Sequence, residues 1–159
     1  MLSFSKLIST FDRSVIHGLQ KISSPLARIA LFVVFFWFGI LKLFMTSPAN
    51  PLVASLLERT LPFITFHTFI ILFGCYEMAI GILFLLPGVE RVAIALLLPH
   101  MVTTVLPLIL LPSVTWQYPF VPTLEGQYII KNVVIIALAL GIAAHLRPMS
   151  SGGLRRVGL

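Results

Sequence analysis

The sequence has one cysteine, Cys75, and little charge. Among its 159 residues 10% are charged and 58% are hydrophobic, and the mean hydropathy is +1.06. A single cysteine excludes an intramolecular disulfide, a CxxC redox pair and a zinc–thiolate cluster within the chain. Such scarce charge also excludes an ordinary soluble domain. The composition therefore predicts one membrane domain.

Motifs of soluble enzymes and metalloproteins are missing as well. No two histidines lie at i, i+3 or i+4, and no Glu-x-x-His motif occurs, so we predict no metal or haem site. A glycine-rich phosphate loop and a GxSxG elbow are also lacking. The net charge of +6 does not indicate a nucleic-acid partner, because the basic residues are placed as in a membrane protein. Whether the protein is an enzyme stays open.

The most informative stretch is the apolar run FITFHTFIILFGCYEMAIGILFLL over residues 63–86, which carries Glu77 near its middle. A carboxylate at membrane depth is costly and calls for an explanation. Gly74 and Gly81 lie three residues before and four after Glu77, on the same helix face. Small residues let a neighbouring helix approach closely. We therefore predict that Glu77 faces protein, not lipid.

The hydrophobic pattern predicts an all-α, polytopic membrane protein with a bundle of four transmembrane helices. The spans are predicted at residues 29–45, 63–86, 92–111 and 128–146. A short surface helix is expected over 52–60, after the helix-breaking SPANP, and an aromatic, proline-rich boundary loop over 112–126. Pro99 and Pro107 predict a kinked third span. We expect three regions: an amphipathic interfacial helix (1–27), the transmembrane domain (28–147) and a flexible basic cytoplasmic tail (148–159).

The basic residues predict the orientation of the bundle. Four spans put both termini on one side, and only Arg59 falls in a loop on the other side. Positive residues favour the cytoplasmic side, so we expect both termini in the cytoplasm. The residues on the predicted cytoplasmic side are Lys6, Arg13, Lys21, Arg28, Arg91, Arg147, Arg155 and Arg156.

Counting the helical rise from the predicted span ends sorts the buried polar residues into two layers. Lys42, His67 and Lys131 fall roughly 5 Å below the outer interface, and we expect them to form an outer basic layer. Glu77 and His100 lie roughly 12 to 14 Å from the inner ends of their spans. We expect these two to meet across the hairpin of spans two and three.

Each layer has two interpretations. The lysines either snorkel to the headgroups independently or share a site for an anion, a carboxylate such as Glu125 or Glu58, or the carbonyls of a quinone. Glu77 is either a neutral structural acid bonded to a backbone carbonyl or, with His100, a proton-carrying or ligand-binding group.

Several segments resemble the four-helix DoxX-like family of small bacterial membrane proteins. They are FWFGILKLF after Arg28, GCYEMAIGILFLLPG, HMVTTVLPLILLP with TW, and PTLEGQYIIKNVVIIALALG. The similarity covers roughly residues 28–147. Its most specific parts are Gly39 with Lys42, the Glu77 segment, and EGQY leading into Lys131-Asn132.

The resemblance implies a bundle in a bacterial inner membrane, in a family linked variously to thiosulfate:quinone oxidoreduction, oxidative-stress defence and unknown tasks. Relatives that handle thiols rely on cysteine pairs, which this chain lacks, so a redox role here would use a quinone or a partner's cofactor.

The candidate catalytic residues are Glu77 and His100. The candidate ligand-binding residues are Lys42, His67, Lys131, Asn132, Glu125 and Tyr128.

Three hypotheses for the function follow. In the first, the protein is a redox-linked subunit in which the outer layer holds a quinone or an anion while Glu77 and His100 manage protons. In the second, it is a non-catalytic accessory subunit that packs on a larger membrane complex or on further copies of itself. A small transporter is a weaker third hypothesis, because four helices without an internal repeat leave little machinery for alternating access.

Overall fold

The computed structural model of the protein describes residues 2–146. The predicted basic tail and Arg147 lie outside the described residues. Four helices are long and apolar enough to cross a membrane: Ile8–Leu43, Phe66–Leu85, Glu90–Leu110 and Leu124–Ala144. The predicted fold class is confirmed, and the chain is a multi-pass, all-α membrane protein.

The elements follow one another from α1 to α8, with one small ribbon of two strands. The helices are α1 (Leu2–Leu43), α2 (Asn50–Thr60), α3 (Phe66–Leu85), α4 (Glu90–Val105), α5 (Pro107–Leu110), α6 (Pro112–Thr115), α7 (Leu124–Ile130) and α8 (Asn132–Ala144). The antiparallel strands are β1 (Trp116–Tyr118) and β2 (Val121–Pro122). The predicted short helix between spans one and two is present as α2.

The first helix is longer than the sequence predicts. α1 runs without interruption through Pro25, so the structure has one helix where we expected a surface helix followed by a span. Proline lacks the N–H that would bond the carbonyl one turn earlier, and it weakens a helix locally. Here that loss does not end the helix. The placement of residues 1–27 on the membrane surface stays a prediction.

The four spans form a ring in which α1 packs on α3, α3 on α4, α4 on α8, and α8 on α1. Its apolar core contains Leu31, Phe35, Ile80, Phe84, Ala93, Leu97, Met101, Ala139 and Ile142. Between α1 and α3 the backbones lie in direct contact. A Cβ at Gly81 would sit 3.0 Å from the Phe36 nitrogen. Gly74 and Gly81 do line a close helix–helix contact.

One end of the bundle, which we call the capped end, is closed by α2, α6 and the ribbon. α6 and the ribbon lie within residues 112–126, where we expected a loop. Pro107 separates α5 from α4, and the terminal carbonyls of α5 accept side-chain hydrogen bonds. Arg59 donates to the Leu110 carbonyl at 2.6 Å, and Trp116 Nε1 donates to Leu108 at 3.0 Å. The last carbonyls of a helix have no partner within the helix and are satisfied by such donors. The polar side chains of the capped end therefore complete the third span.

At the opposite end, which we call the Arg28 end, one guanidinium joins three helices. Arg28 Nε donates to the Phe84 carbonyl at 2.7 Å, and Nη1 pairs with Glu90 at 2.8 Å. Phe84 lies in the last turn of α3, and Glu90 is the first residue of α4. A cation at a helix C-terminus and an anion at an N-terminus are both stabilised by the helix dipoles. Arg28 thus fixes the hairpin of spans two and three against α1.

Candidate functional site

Three polar side chains from three spans meet inside the bundle. Lys42 Nζ of α1 donates to Glu77 Oε2 of α3 at 2.5 Å, and His100 Nε2 of α4 lies 3.5 Å from Glu77 Oε1. Their side chains are only 5%, 7% and 5% exposed. We call these residues the core polar cluster. The prediction that Glu77 and His100 meet across the hairpin is confirmed.

Glycines at the α1–α3 contact create the space for this cluster. A Cβ at Gly39 would sit 2.6 Å from the Gly74 carbonyl oxygen, and one at Gly74 would sit 3.1 Å from Lys42 Cβ. Lys42 therefore lies level with Gly74, one helical turn from Glu77. Because side chains lean towards the N-terminus of their own helix, Lys42 and Glu77 on antiparallel helices lean towards each other. The ammonium and the carboxylate meet between them.

Aromatic rings enclose His100. Its imidazole stacks on Phe73 with a centroid distance of 5.1 Å and meets the edge of Phe35 at 5.2 Å. Tyr76 lies 6.2 Å away and donates its hydroxyl to the Leu96 carbonyl at 2.6 Å. Phe73 also takes the Lys42 ammonium on its face at 5.4 Å. The cluster is thus held in an apolar, aromatic setting where electrostatic interactions are strong.

One nitrogen of His100 is left over. Nδ1 is buried and has no hydrogen-bond partner among the described residues. Thr103 and Thr104 donate to the His100 carbonyl, not to the ring. With Nε2 facing a carboxylate, the tautomer protonated at Nε2 is the favourable assignment, which makes Nδ1 an acceptor. A buried acceptor without a partner is costly, and a hydrogen-bond donor placed at Nδ1 would satisfy it.

The charges of the cluster define what it can do. Lys42 and Glu77 neutralise each other, so a neutral His100 leaves the cluster uncharged. A protonated His100 would leave one net positive charge in the core, which is favourable only beside an added negative charge. Glu77 lies between an ammonium and an imidazole and contacts both. The arrangement is suited to holding a proton and to binding a polar group at Nδ1.

The predicted outer layer is corrected by the structure, because Lys42 belongs to the core polar cluster. His67 and Lys131 are both exposed, and the Lys131 ammonium lies over its neighbour Tyr128 at 5.1 Å from the ring centroid. Glu125 and Tyr128 are exposed and Asn132 is half-buried. Glu125, Tyr128, Lys131 and Asn132 lie in or beside α7. His67 lies at the start of α3, and Lys42 is buried at 4% exposure against α3. Lys42 lies level with Gly74, about two helical turns along α3 from His67, so these two do not share one level.

The error comes from counting depth along Cα atoms. Depths counted from the span ends put Lys42 and His67 at one height. In the structure Lys42, near the end of α1, instead lies level with Gly74, eight residues into α3. The direction in which each side chain leans along its helix is the sequence signal that distinguishes Lys42 from Lys131. α1 and the fourth span run in opposite directions, so a lysine near the end of α1 leans into the bundle. Lys131, near the start of the fourth span, leans towards the capped end.

Two further features lie outside the cluster. A cleft of about 190 Å³ beside α2 is lined by Ala54, Leu57, Glu58, Pro62, Ile64 and Phe66. Asn50 Oδ1, at the start of α2, is buried and has no hydrogen-bond partner within residues 2–146. Over that same range, no group of three or more His, Cys, Asp or Glu residues could hold a metal ion.

No protein-family model, curated protein or solved structure matches the chain.

Proposed function

We propose that the protein is a DoxX-like subunit of a bacterial inner membrane, linked to redox reactions, whose core polar cluster handles a proton beside a bound quinone. The observation that carries this proposal is His100 Nδ1, a buried acceptor without a partner in residues 2–146, next to a carboxylate and an ammonium. Ionisable residues within spans are expensive and mark functional sites by default.

The core polar cluster suits a quinone better than the outer layer that we predicted from the sequence. His67 and Lys131 are exposed, whereas Lys42 is buried in its ion pair with Glu77. His100 Nδ1 instead offers an unsatisfied position, and Phe73 and Tyr76 offer aromatic surface beside it. Because Nδ1 is an acceptor, it would take a hydrogen bond from a hydroxyl of the reduced, quinol form of the head group, with Lys42 as the nearby cation. A bound quinone supplies a carrier of two electrons and two protons.

The residues of the core polar cluster would hold and transfer the proton in this reaction. His100 would accept a proton at Nδ1 from that hydroxyl, so that the negative charge left on the head group offsets the imidazolium, while Glu77 holds the ring through its contact with Nε2. Lys42 would offset the negative charge of Glu77, since its ammonium donates directly to the carboxylate. Phe35 and Phe73 pack against the His100 ring, and apolar surroundings of this kind strengthen the electrostatic interactions of the cluster.

Replacing single histidines tests this proposal. His100→Phe keeps a ring between Phe35 and Phe73 but removes both nitrogens, so we expect the purified variant to lose quinone that the unmodified protein retains. His67→Phe is the matched control, because His67 is exposed and belongs to the outer site that we predicted from the sequence. Quinone is measured by mass spectrometry of lipid extracts from gently solubilised protein.

The two variants separate the two sites. Loss of quinone from His100→Phe but not from His67→Phe supports quinone binding at the core polar cluster. Loss of quinone from His67→Phe alone would assign it to the outer site. Absence of quinone from the unmodified protein would overturn the redox proposal.

We also propose that the Arg28 end faces the cytoplasm, supported by the distribution of basic residues. Ser113, at the capped end, and Ser23, in α1, are both exposed, whereas Ser47 is 8% exposed and a poor probe. In a Cys75→Ser background, Ser113→Cys should react with an impermeant thiol reagent on spheroplasts. Ser23→Cys should react only after the membrane is permeabilised. The reverse pattern would invert the orientation.

An accessory subunit of a larger membrane complex is the second candidate function. Only 17% to 33% of the most apolar window of each span is buried inside the chain. Wide helix faces are therefore available for lipid or for other subunits. Stoichiometric copurification of further membrane proteins, without quinone, would favour this candidate.

A further inference from the structure

The N-terminal part of α1 presents two separate stripes to its surroundings. All described side chains from Lys6 to Ser23 are exposed. The apolar stripe consists of Ile8, Phe11, Val15, Leu19, Ile22 and Leu26, and the basic stripe consists of Lys6, Arg13, His17 and Lys21. At about 100° per residue the two stripes lie on opposite sides of the helix. This is the pattern of a helix that lies at a membrane surface.

The stripes continue into the spanning part of α1. From Leu26 the apolar stripe passes to Ile29, Val33 and Trp37, which are 51%, 49% and 63% exposed on the outside of the bundle. The basic stripe passes through Arg28 to the buried Leu31 and Phe35. The apolar stripe therefore lies on the side that the spanning half turns to lipid. A bend away from the bundle places this stripe against the bilayer without any rotation about the helix axis.

We infer that residues 6–26 dock on the cytoplasmic leaflet and that their partner there is an anionic phospholipid surface. Pro25 supplies the position for the bend, because its missing N–H removes one hydrogen bond of α1. Charge complementarity selects the anionic surface. Lys6, Arg13 and Lys21 stand against the single acid Asp12, and basic side chains near anionic headgroups are attracted to them.

A second copy of the chain is the less suitable occupant. Paired through their apolar stripes, two such helices would turn their basic stripes outwards without an anionic partner, and the net charge of +6 on each chain opposes their association. Continuity of the apolar stripe with Ile29, Val33 and Trp37 also points to lipid, since these residues lie on a helix that crosses the membrane.

Fluorescence of the full chain in nanodiscs tests this inference. An environment-sensitive dye is attached at Val15→Cys, on the apolar stripe, or at Gln20→Cys, on the polar side, each with Cys75→Ser. In discs of equal parts phosphatidylcholine and phosphatidylglycerol, the dye at position 15 should emit at shorter wavelength than the dye at position 20. Lipids brominated in their chains should quench position 15 several-fold more.

Charge variants identify the partner. Changing Lys6, Arg13 and Lys21 together to Gln should return the emission at position 15 to the value found in pure phosphatidylcholine. Lys131→Gln, which changes an exposed lysine at the other end of the bundle, should leave it unchanged. Equal emission and quenching at the two positions in both lipids would overturn the inference. So would a shift at position 15 that occurs only in discs holding two copies of the chain.

Discussion

Gly39→Ala is expected to lower the stability of the folded bundle sharply, by about 3 kcal/mol. The added Cβ would sit 2.6 Å from the Gly74 carbonyl oxygen and 2.6 Å from Met78 Cγ. The Met78 side chain can rotate, but the Gly74 oxygen belongs to the backbone of α3 and moves only if the helices separate. Such a separation would also draw Lys42 away from Glu77, since Lys42 lies one turn beyond Gly39.

Gly141→Ala is the matched control for this prediction. Gly141 also lies within a spanning helix, yet a Cβ there meets no atom within 4 Å among the described residues. Alanine is the better helix former, so Gly141→Ala should leave the melting temperature of the detergent-solubilised protein unchanged or slightly raised. If both variants melt at the temperature of the unmodified protein, the close contact of α1 with α3 is wrong.

The sequence was sufficient for the elements whose signals are local. Each span is a long apolar run, and the break before α2 is marked by two prolines, so both follow from chemistry within a few residues. The contact of Glu77 with His100 was also predictable, because spans two and three form a hairpin and these two residues lie at similar distances from its closed end.

The partner of Glu77 was not predictable by the same route. Lys42 reaches Glu77 because Gly39 and Gly74 set the relative height of α1 and α3, and that height depends on packing between distant segments. The three-helix contact of Arg28 is a similar case. Its sequence context indicates the cytoplasmic side, whereas its hydrogen bond to Phe84 depends on where α3 ends beside α1.

Single replacements in the ion pair of the core polar cluster are expected to be among the most damaging in the protein. Lys42→Met leaves the Glu77 carboxylate buried without its ammonium, and Glu77→Ala leaves the Lys42 ammonium unpaired beside a cavity. Removing one partner of a buried ion pair costs about 3 to 5 kcal/mol. We expect either variant to melt at much lower temperature than the unmodified protein.

Lys42→Met combined with Glu77→Gln should regain most of this stability. Both charges are then gone, and the amide oxygen of the introduced glutamine can still accept a hydrogen bond from His100 Nε2, so little is left unsatisfied. Thermal melting of the unmodified protein, Lys42→Met, Glu77→Gln and the double variant gives the coupling energy between the two sites. Additive losses in the double variant would show that Lys42 and Glu77 are not paired.

The same double variant separates a structural role of the cluster from proton handling. An uncharged methionine and glutamine can fill the space of the ion pair, but they cannot hold a carboxylate next to His100. If the cluster only joins three helices, the double variant should fold and retain bound quinone or partner subunits like the unmodified protein. If the cluster handles a proton, the double variant should still fold normally. In cells that carry it, the redox state of the membrane quinone pool should then be the same as in cells that lack the protein. A folded double variant that restores the pool to its normal state would refute the proton-handling role of Glu77, whatever the ion pair contributes to stability.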